Sequence, residues 1–267
     1  MNDKIDRLKE IAANSKQLVA FTGAGLSAES GIPTYRGTNG IWAKYDPAKY
    51  ANIQYFLKDP SYYWRFFRDV RYPSLKQAQP SAAHYVLVEL EKQGILTLVI
   101  TQNIDGLHQM AGQSKVCELH GNSRQMKCLD CRNTFSMDKV YEQLEKELPP
   151  HCSCGGLLRP NVVFFGESLP QEALMEAWRA AEKCDTFLVV GSSLVVYPAA
   201  QIPVRAKENG ASLVIVNIDE TPLDPMADLV IHQSASEVLH PLCEDAREQA
   251  MPVPHKSEIT NRNSPKA

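Results

Sequence analysis

Runs of apolar residues five or six long punctuate this chain at wide intervals, and most end on small or polar residues. They cover residues 17–22, 96–101, 115–119, 186–191, 212–217 and 228–232. Continuous rather than alternating hydrophobicity marks strands covered on both faces, as in a parallel sheet. Between them lie apolar positions at helical spacing: Ile5, Leu8, Ile11 and Ala12; Val86 to Leu90, stopping at Gly94; and Leu174, Ala177, Trp178 and Ala181. A fourth helical pattern opens at Pro198, a good first helical residue, and passes through Ile202 and Ala206 to Gly210. Strands alternating with helices predict an α/β fold, a doubly wound Rossmann-like parallel sheet with helices on both faces.

Two stretches break the rhythm. Residues 33–80 are aromatic and polar, with Trp42, Tyr55, Phe56, Tyr62, Tyr63, Trp64, Phe66 and Phe67, and predict a loop followed by a small helical insert. Residues 122–160 hold a cysteine cluster. Residues 248–267 contain Pro, Lys and Asn without periodicity and are expected to be a flexible tail. The expected division is one domain over residues 1–247. Its sheet is built from about 1–32, 81–121 and 161–247, and is interrupted by the 33–80 insert and the 122–160 module.

At 267 residues and 44% hydrophobic, the chain can bury the core of one large domain. A net charge of −3 gives no electrostatic footprint for nucleic acid or an anionic membrane, so neither partner is expected. No apolar segment approaches the roughly 18–20 residues of a membrane span. The first six residues are charged and polar, without the apolar stretch of a signal peptide. Seven cysteines, four of them bunched, argue against a disulfide framework and for a reducing, cytoplasmic setting. Oligomeric state is unreadable, and a monomer is compatible with everything above.

Cys128-Leu-Asp-Cys131 is followed after twenty residues by Cys152-Ser-Cys154-Gly-Gly. Two thiolate pairs on tight turns present four sulfurs tetrahedrally, which suits one structural Zn²⁺. Only the second pair departs from the usual two-residue gap. His151 is the one alternative to Cys152 as a ligand. Four sulfurs close the site, so the ion is expected to staple the module rather than to do chemistry. Cys117, Cys184 and Cys243 lie in apolar contexts and are expected to be buried and inert.

The remaining polar residues gather at strand ends, where open α/β sheets bind ligands. The first strand empties into Gly23-Ala24-Gly25, with Ser27, Ala28 and Glu29 following, a turn that lets backbone pass tightly under a diphosphate. The second runs into Gln102-Asn103-Ile104-Asp105, where Asn103 and Asp105 alternate and point the same way. The third ends at His120, whose ordinary titration near neutrality makes it the best candidate base, with His108 the runner-up. Gly191-Ser192-Ser193 and Asn217-Ile218-Asp219 end two later strands, and a carboxylate at the last could accept bonds from ribose hydroxyls.

Seven motifs then fall in one order: Gly-Ala-Gly-Leu-Ser through Ser-Gly-Ile-Pro to Arg36, Thr-Gln-Asn-Ile-Asp, Leu-His-Gly, the cysteine quartet, Phe-Phe-Gly-Glu, Gly-Ser-Ser-Leu and Val-Asn-Ile-Asp. Over roughly residues 1–245 the chain resembles the sirtuins, NAD-dependent protein-lysine deacylases. The resemblance implies that NAD is consumed as co-substrate and held by Gly23, Ala24, Gly25, Ser27, Glu29, Tyr35, Arg36, Trp42, Gln102, Asn103, Ile104, Asp105, Gly191, Ser192, Ser193, Asn217, Asp219 and Ala235. It implies His120, Asn103 and Asp105 as the catalytic group. Val162, Phe164, Gly166 and Glu167 on one side, with Val195 and Val196 on the other, would grip an acyl-lysine protein or peptide as an added strand. In the implied reaction the acyl oxygen attacks the nicotinamide ribose, nicotinamide leaves, and His120 helps a ribose hydroxyl to accept the acyl group. The products are nicotinamide, O-acyl-ADP-ribose and free lysine.

Thr34-Tyr35-Arg36 replaces the family's commoner Asp-Phe-Arg. Thr34 resembles a subgroup that removes negatively charged acyl groups and carries a Tyr and an Arg three residues apart in the helical insert. Aligned by sequence, those two positions fall on Phe67 and Val70, so a buried carboxylate would lack a partner, and acetyl or other uncharged groups are expected. A shifted register would offer Arg68 or Arg71. Competing readings are a non-catalytic NAD or ADP-ribose module, a mono-ADP-ribosyl transferase, and, weakest, a dehydrogenase.

Overall fold

Each of the six apolar runs is a strand of one parallel sheet in the computed structural model, which describes residues 2–36 and 40–242. The expected tail and Cys243 lie outside those residues. The strands are β1 (Leu18–Thr22), β2 (Leu96–Thr101), β3 (Val116–Glu118), β7 (Thr186–Val190), β8 (Ser212–Val216) and β9 (Leu229–Ile231). Their order is β3-β2-β1-β7-β8-β9. The order reverses between β1 and β7, and such a switch point opens a crevice at the carboxyl ends of the two strands. Every side chain of β1 and β7 is buried, which is why their sequences do not alternate.

Two apolar layers cover the sheet. Leu8, Leu26, Val86, Leu87, Leu90, Val214 and Val238 pack on one face, beneath helices Asn2–Asn14 and Ala82–Lys92. Phe21, Ile100, Ala177, Ala181, Phe187 and Ile202 pack on the other, beneath helices Gln171–Lys183 and Gln201–Glu208. The last of these helices starts three residues later than its sequence implies. Pro198 lies in the preceding turn, where Gln201 N–H bonds Pro198 C=O and Ile202 N–H bonds Ala199 C=O.

A three-stranded antiparallel sheet, β5-β4-β6, is built from β4 (Gly121–Cys128), β5 (Thr134–Ser136) and β6 (Leu158–Val162). The aromatic insert is a chain of short helices. Pro47–Tyr50 and Pro60–Phe66 are each capped by an Asp before the proline, and Ile53–Lys58 is capped by Asn52. Sequence separated the insert from the cysteine module, but the two share one core. Ile53, Phe56, Tyr63, Trp64, Phe67 and Leu75 pack with Met126, Val140, Leu144, Leu158 and Phe164. Tyr72 stacks on Tyr141 at 3.7 Å and donates to Asp138 at 2.9 Å.

Candidate functional site

At the switch point the β1 and β7 turns lie back to back. Gly23 N–H bonds Val190 C=O at 3.0 Å and Gly25 N–H bonds Gly191 C=O at 2.8 Å. A Cβ on Gly25 would stand 2.7 Å from Gly191 Cα, and one on Gly191, at φ +64°, would stand 2.3 Å from Leu26 N. The glycine pair is therefore required by loop against loop, before any ligand is considered.

Asn103, Asp105 and Ser27 form one buried polar knot on the same crevice wall, with relative exposures of 5%, 4% and 1%. Asn103 Nδ2 donates to Gly23 C=O at 2.9 Å and to Ser27 Oγ at 3.1 Å. Ser27 Oγ donates in turn to Asp105 Oδ2 at 2.8 Å, while Asp105 Oδ1 accepts Leu107 N–H at 2.9 Å. Asn103 and Asp105 thus point the same way, as their alternation predicts. Ile104 C=O accepts Ser123 N–H at 2.7 Å, which ties this loop to the smaller sheet.

Half-buried His120 sits where β3 passes into β4. Its Nδ1 lies 3.1 Å from Gln102 C=O. A carbonyl can only accept, so Nδ1 carries the proton and Nε2 presents a lone pair. Burial holds the ring below the ordinary imidazole range, partly offset by that backbone bond. Gln102 Nε2 reaches across to Ser192 Oγ at 2.7 Å, joining the β2 and β7 ends.

The outer residues fall around this rim. Asn217 Nδ2 donates to Asp219 C=O at 2.7 Å, and the Asp219 side chain is exposed, as is Ser193. Glu29 accepts Ser236 N–H at 3.2 Å, which holds the helix opening at Ala235 against the first turn. Tyr35 and Trp42 rings lie 5.3 Å apart, and Arg36 is exposed. Phe164 is buried against Phe56 and Tyr63, and Val162 closes β6. Glu167 has its carboxylate engaged by Arg159 at 2.6 Å and by Phe164 N–H at 2.8 Å, so it braces the loop at Gly166 and is not a free charge. Phe165 already pairs with the insert through Ala51 C=O and Ile53 N–H. Val195 is 44% exposed.

One residue of the insert was placed differently by sequence. Phe67–Arg71 is a π-helical turn, which holds one residue more than an α turn. Arg71 therefore takes the direction that Val70 would have in an unbroken helix. It is buried to 5% exposure, donates to Tyr35 OH at 3.1 Å and lies 5.5 Å from that ring's centroid. Among the described residues no carboxylate pairs with it. The extra residue corresponds to the shifted register that offers Arg71 in place of Val70; a π turn carries no sequence signature that spacing alone would reveal.

The four cysteine sulfurs lie within 4.8 Å of one another. Cys128 and Cys154 Sγ are 3.5 Å apart, and Cys131 and Cys152 Sγ are 3.6 Å apart. Four thiolates at this separation fit a tetrahedral zinc ion. His151 is instead engaged by Glu147 at 2.6 Å. Cys117 and Cys184 are buried in the layer that holds Phe21 and Phe187, as expected.

The family model described as the Sir2 family matches residues 23–198. A protein named NAD-dependent protein deacetylase from Sulfurisphaera tokodaii is 49% identical over 88% of this chain and 92% of its own length. NAD-dependent protein deacylase 2 from Archaeoglobus fulgidus is 48% identical over 92% of this chain and 98% of its own. A solved Sir2–p53 peptide–NAD+ structure superposes with a TM-score of 0.83 at 40% identity, covering 92% of this chain and 99% of that one. With the switch-point crevice, the polar knot and the cysteine quartet in the positions that its motif order implies, this chain belongs to the Sir2 family.

Proposed function

We infer that this chain removes acyl groups from lysine side chains of proteins or peptides, consuming NAD+ and releasing nicotinamide, O-acyl-ADP-ribose and free lysine. The observation that carries this reading is the convergence of His120 with the Asn103–Ser27–Asp105 knot at one sheet edge. NAD+ supplies an activated glycosidic bond to the nicotinamide ribose. Asn103 and Asp105 hold donors and a carboxylate beside that ribose, where positive charge develops. His120 Nε2 takes a proton from a ribose hydroxyl, and Gln102 C=O steadies the imidazolium through Nδ1–H. Gly166, Val195 and Val196 offer main chain to the peptide, so recognition tolerates many sequences. The zinc ion, held by Cys128, Cys131, Cys152 and Cys154, secures the smaller sheet and takes no part in the reaction.

Acetyl is the first expected acyl group. Arg71 favours a second class, acyl chains ending in a carboxylate, since a buried guanidinium without an anion gains most from one. Acetyl, succinyl and longer acyl peptides, each with NAD+ and scored by nicotinamide formed, test both statements. The expected outcome is turnover of acetyl and succinyl peptides, with Arg71→Leu lowering the succinyl-to-acetyl ratio of kcat/KM roughly tenfold. No nicotinamide from any peptide would overturn deacylation, and an unchanged ratio would remove the second class. Stable protein labelling from NAD+ without O-acyl-ADP-ribose would favour ADP-ribosyl transfer.

A further inference from the structure

His84 and His108 have no part in the chemistry above, yet their relative exposures are 0% and 2%. Buried polar atoms are normally paired. Each of these rings has one bonded nitrogen and one without a partner, His84 Nε2 and His108 Nδ1, and the ring centroids lie 4.9 Å apart.

The bonded nitrogens fix the direction of donation. His84 is the third residue of helix Ala82–Lys92, and its Nδ1 lies 3.1 Å from Ser81 N and 2.8 Å from Ser81 Oγ. A backbone amide can only donate, so Nδ1 accepts and the proton of neutral His84 sits on Nε2. At the other ring, His108 Nε2 lies 2.9 Å from Thr22 Oγ. Thr22 gives its one hydroxyl proton to Thr101 Oγ at 2.8 Å, and Thr101 Oγ also accepts Asn103 N–H at 3.0 Å. In that arrangement His108 donates to Thr22, which leaves its Nδ1 an acceptor. One unpartnered atom is a donor, the other an acceptor.

We propose that His84 Nε2–H donates to His108 Nδ1 through one enclosed water, completing a hydrogen-bond relay that runs one way from Ser81 to Thr101 Oγ, where it meets the Asn103 amide that positions the catalytic loop. Both histidines are positioning residues, acting through Thr22 and Thr101. The proposal rests on the deacylase reading only for the role of Asn103. Burial holds both rings down to about 3, so the relay is neutral in ordinary buffers. A protonated ring would donate at both nitrogens and break the order.

His84→Gln and His84→Leu test it, with imidazole nitrogen NMR of His108, nicotinamide release at varied NAD+, and thermal melting. A glutamine here can accept Ser81 N–H through its amide oxygen, as in an ordinary capping box, and turn its N–H toward His108. The parent and the Gln variant are expected to keep the proton on His108 Nε2 and to agree in kcat/KM for NAD+ within about twofold. In the Leu variant His108 should become a mixture of tautomers, with kcat/KM roughly tenfold lower at temperatures where it is folded, the scale of one buried bond left unmade. Thr22→Val removes the acceptor at the far end and gives the same tautomer readout should the Leu variant not fold. His108 carrying its proton on Nδ1 in the parent, or equal losses in the Gln and Leu variants, would overturn the relay. A parent inactive toward every acyl peptide would overturn the deacylase reading while leaving the NMR result to stand by itself.

Discussion

Lowering the pH from 7 to 5 should weaken this protein chiefly through its two enclosed imidazoles. A solvated histidine titrates near 6.5, whereas His84 and His108 are held down to about 3 by burial. Between those values the unfolded chain binds two protons that the folded chain refuses. Stability is therefore fully present above about pH 6.5 and falls as the pH drops, by about 1.4 kcal/mol per pH unit for each ring. At pH 5 the loss is about 2 kcal/mol per ring and about 4 kcal/mol for the pair. That figure depends on the unfolded value, not on how far below the working pH the folded value lies. It is a large share of the roughly 5–15 kcal/mol that ordinarily separates native and unfolded states. Urea unfolding of the parent and of His84→Gln between pH 5 and 6.5 measures it, in a window above most carboxylate titration. His120 shifts in the same direction but equally in both proteins. The Gln variant should show a slope shallower by about 1.4 kcal/mol per pH unit near pH 5. Identical slopes would mean that His84 titrates normally in the native state, and the neutral relay would go with it.

Two further outcomes are expected. His120→Ala should bind NAD+ within a few-fold of the parent but lose about 10²–10⁴ in turnover, and the parent's acid limb should have its midpoint below the ordinary imidazole value; equal turnover, or a midpoint above it, would refute the assignment. Cys128→Ser should lose the metal and melt at lower temperature, and an unaltered zinc content by elemental analysis would contradict the four-sulfur site.

The sheet was legible because strands buried on both faces cannot disguise themselves. Residues 18–22 and 186–190 have no solvent side, so their sequences are unbroken hydrophobicity. The rim was legible because parallel connectivity brings every strand's carboxyl end to one edge, so Gly23, Asn103, His120, Ser192 and Asn217 needed only the strand assignments to be gathered. What stayed hidden depends on contacts between distant segments. Arg71 reaches Tyr35 only because one turn of helix holds an extra residue. The glycines at 23 and 25 suggest a phosphate cradle, yet their first constraint is the Gly191 turn, 166 residues on from the nearer of them in sequence. The pairing of Thr22 with Thr101 and His108 left no pattern, since a threonine ending a strand is unremarkable alone.

The core shared by the aromatic insert and the cysteine module has a consequence for assembly. Phe56 and Tyr63 rest on Phe164, and Arg124 Nη2 donates to Leu75 C=O at 2.9 Å, so the insert's inner surface is finished by chain that follows it by fifty to a hundred positions. During synthesis that surface waits uncovered until residue 164 has emerged. Long-range closure of this kind is slow. Metal capture, by fixing residues 128 to 154 early, would shorten the wait and shield the rings of Phe56, Tyr63, Trp64 and Phe67 from straying into neighbouring chains.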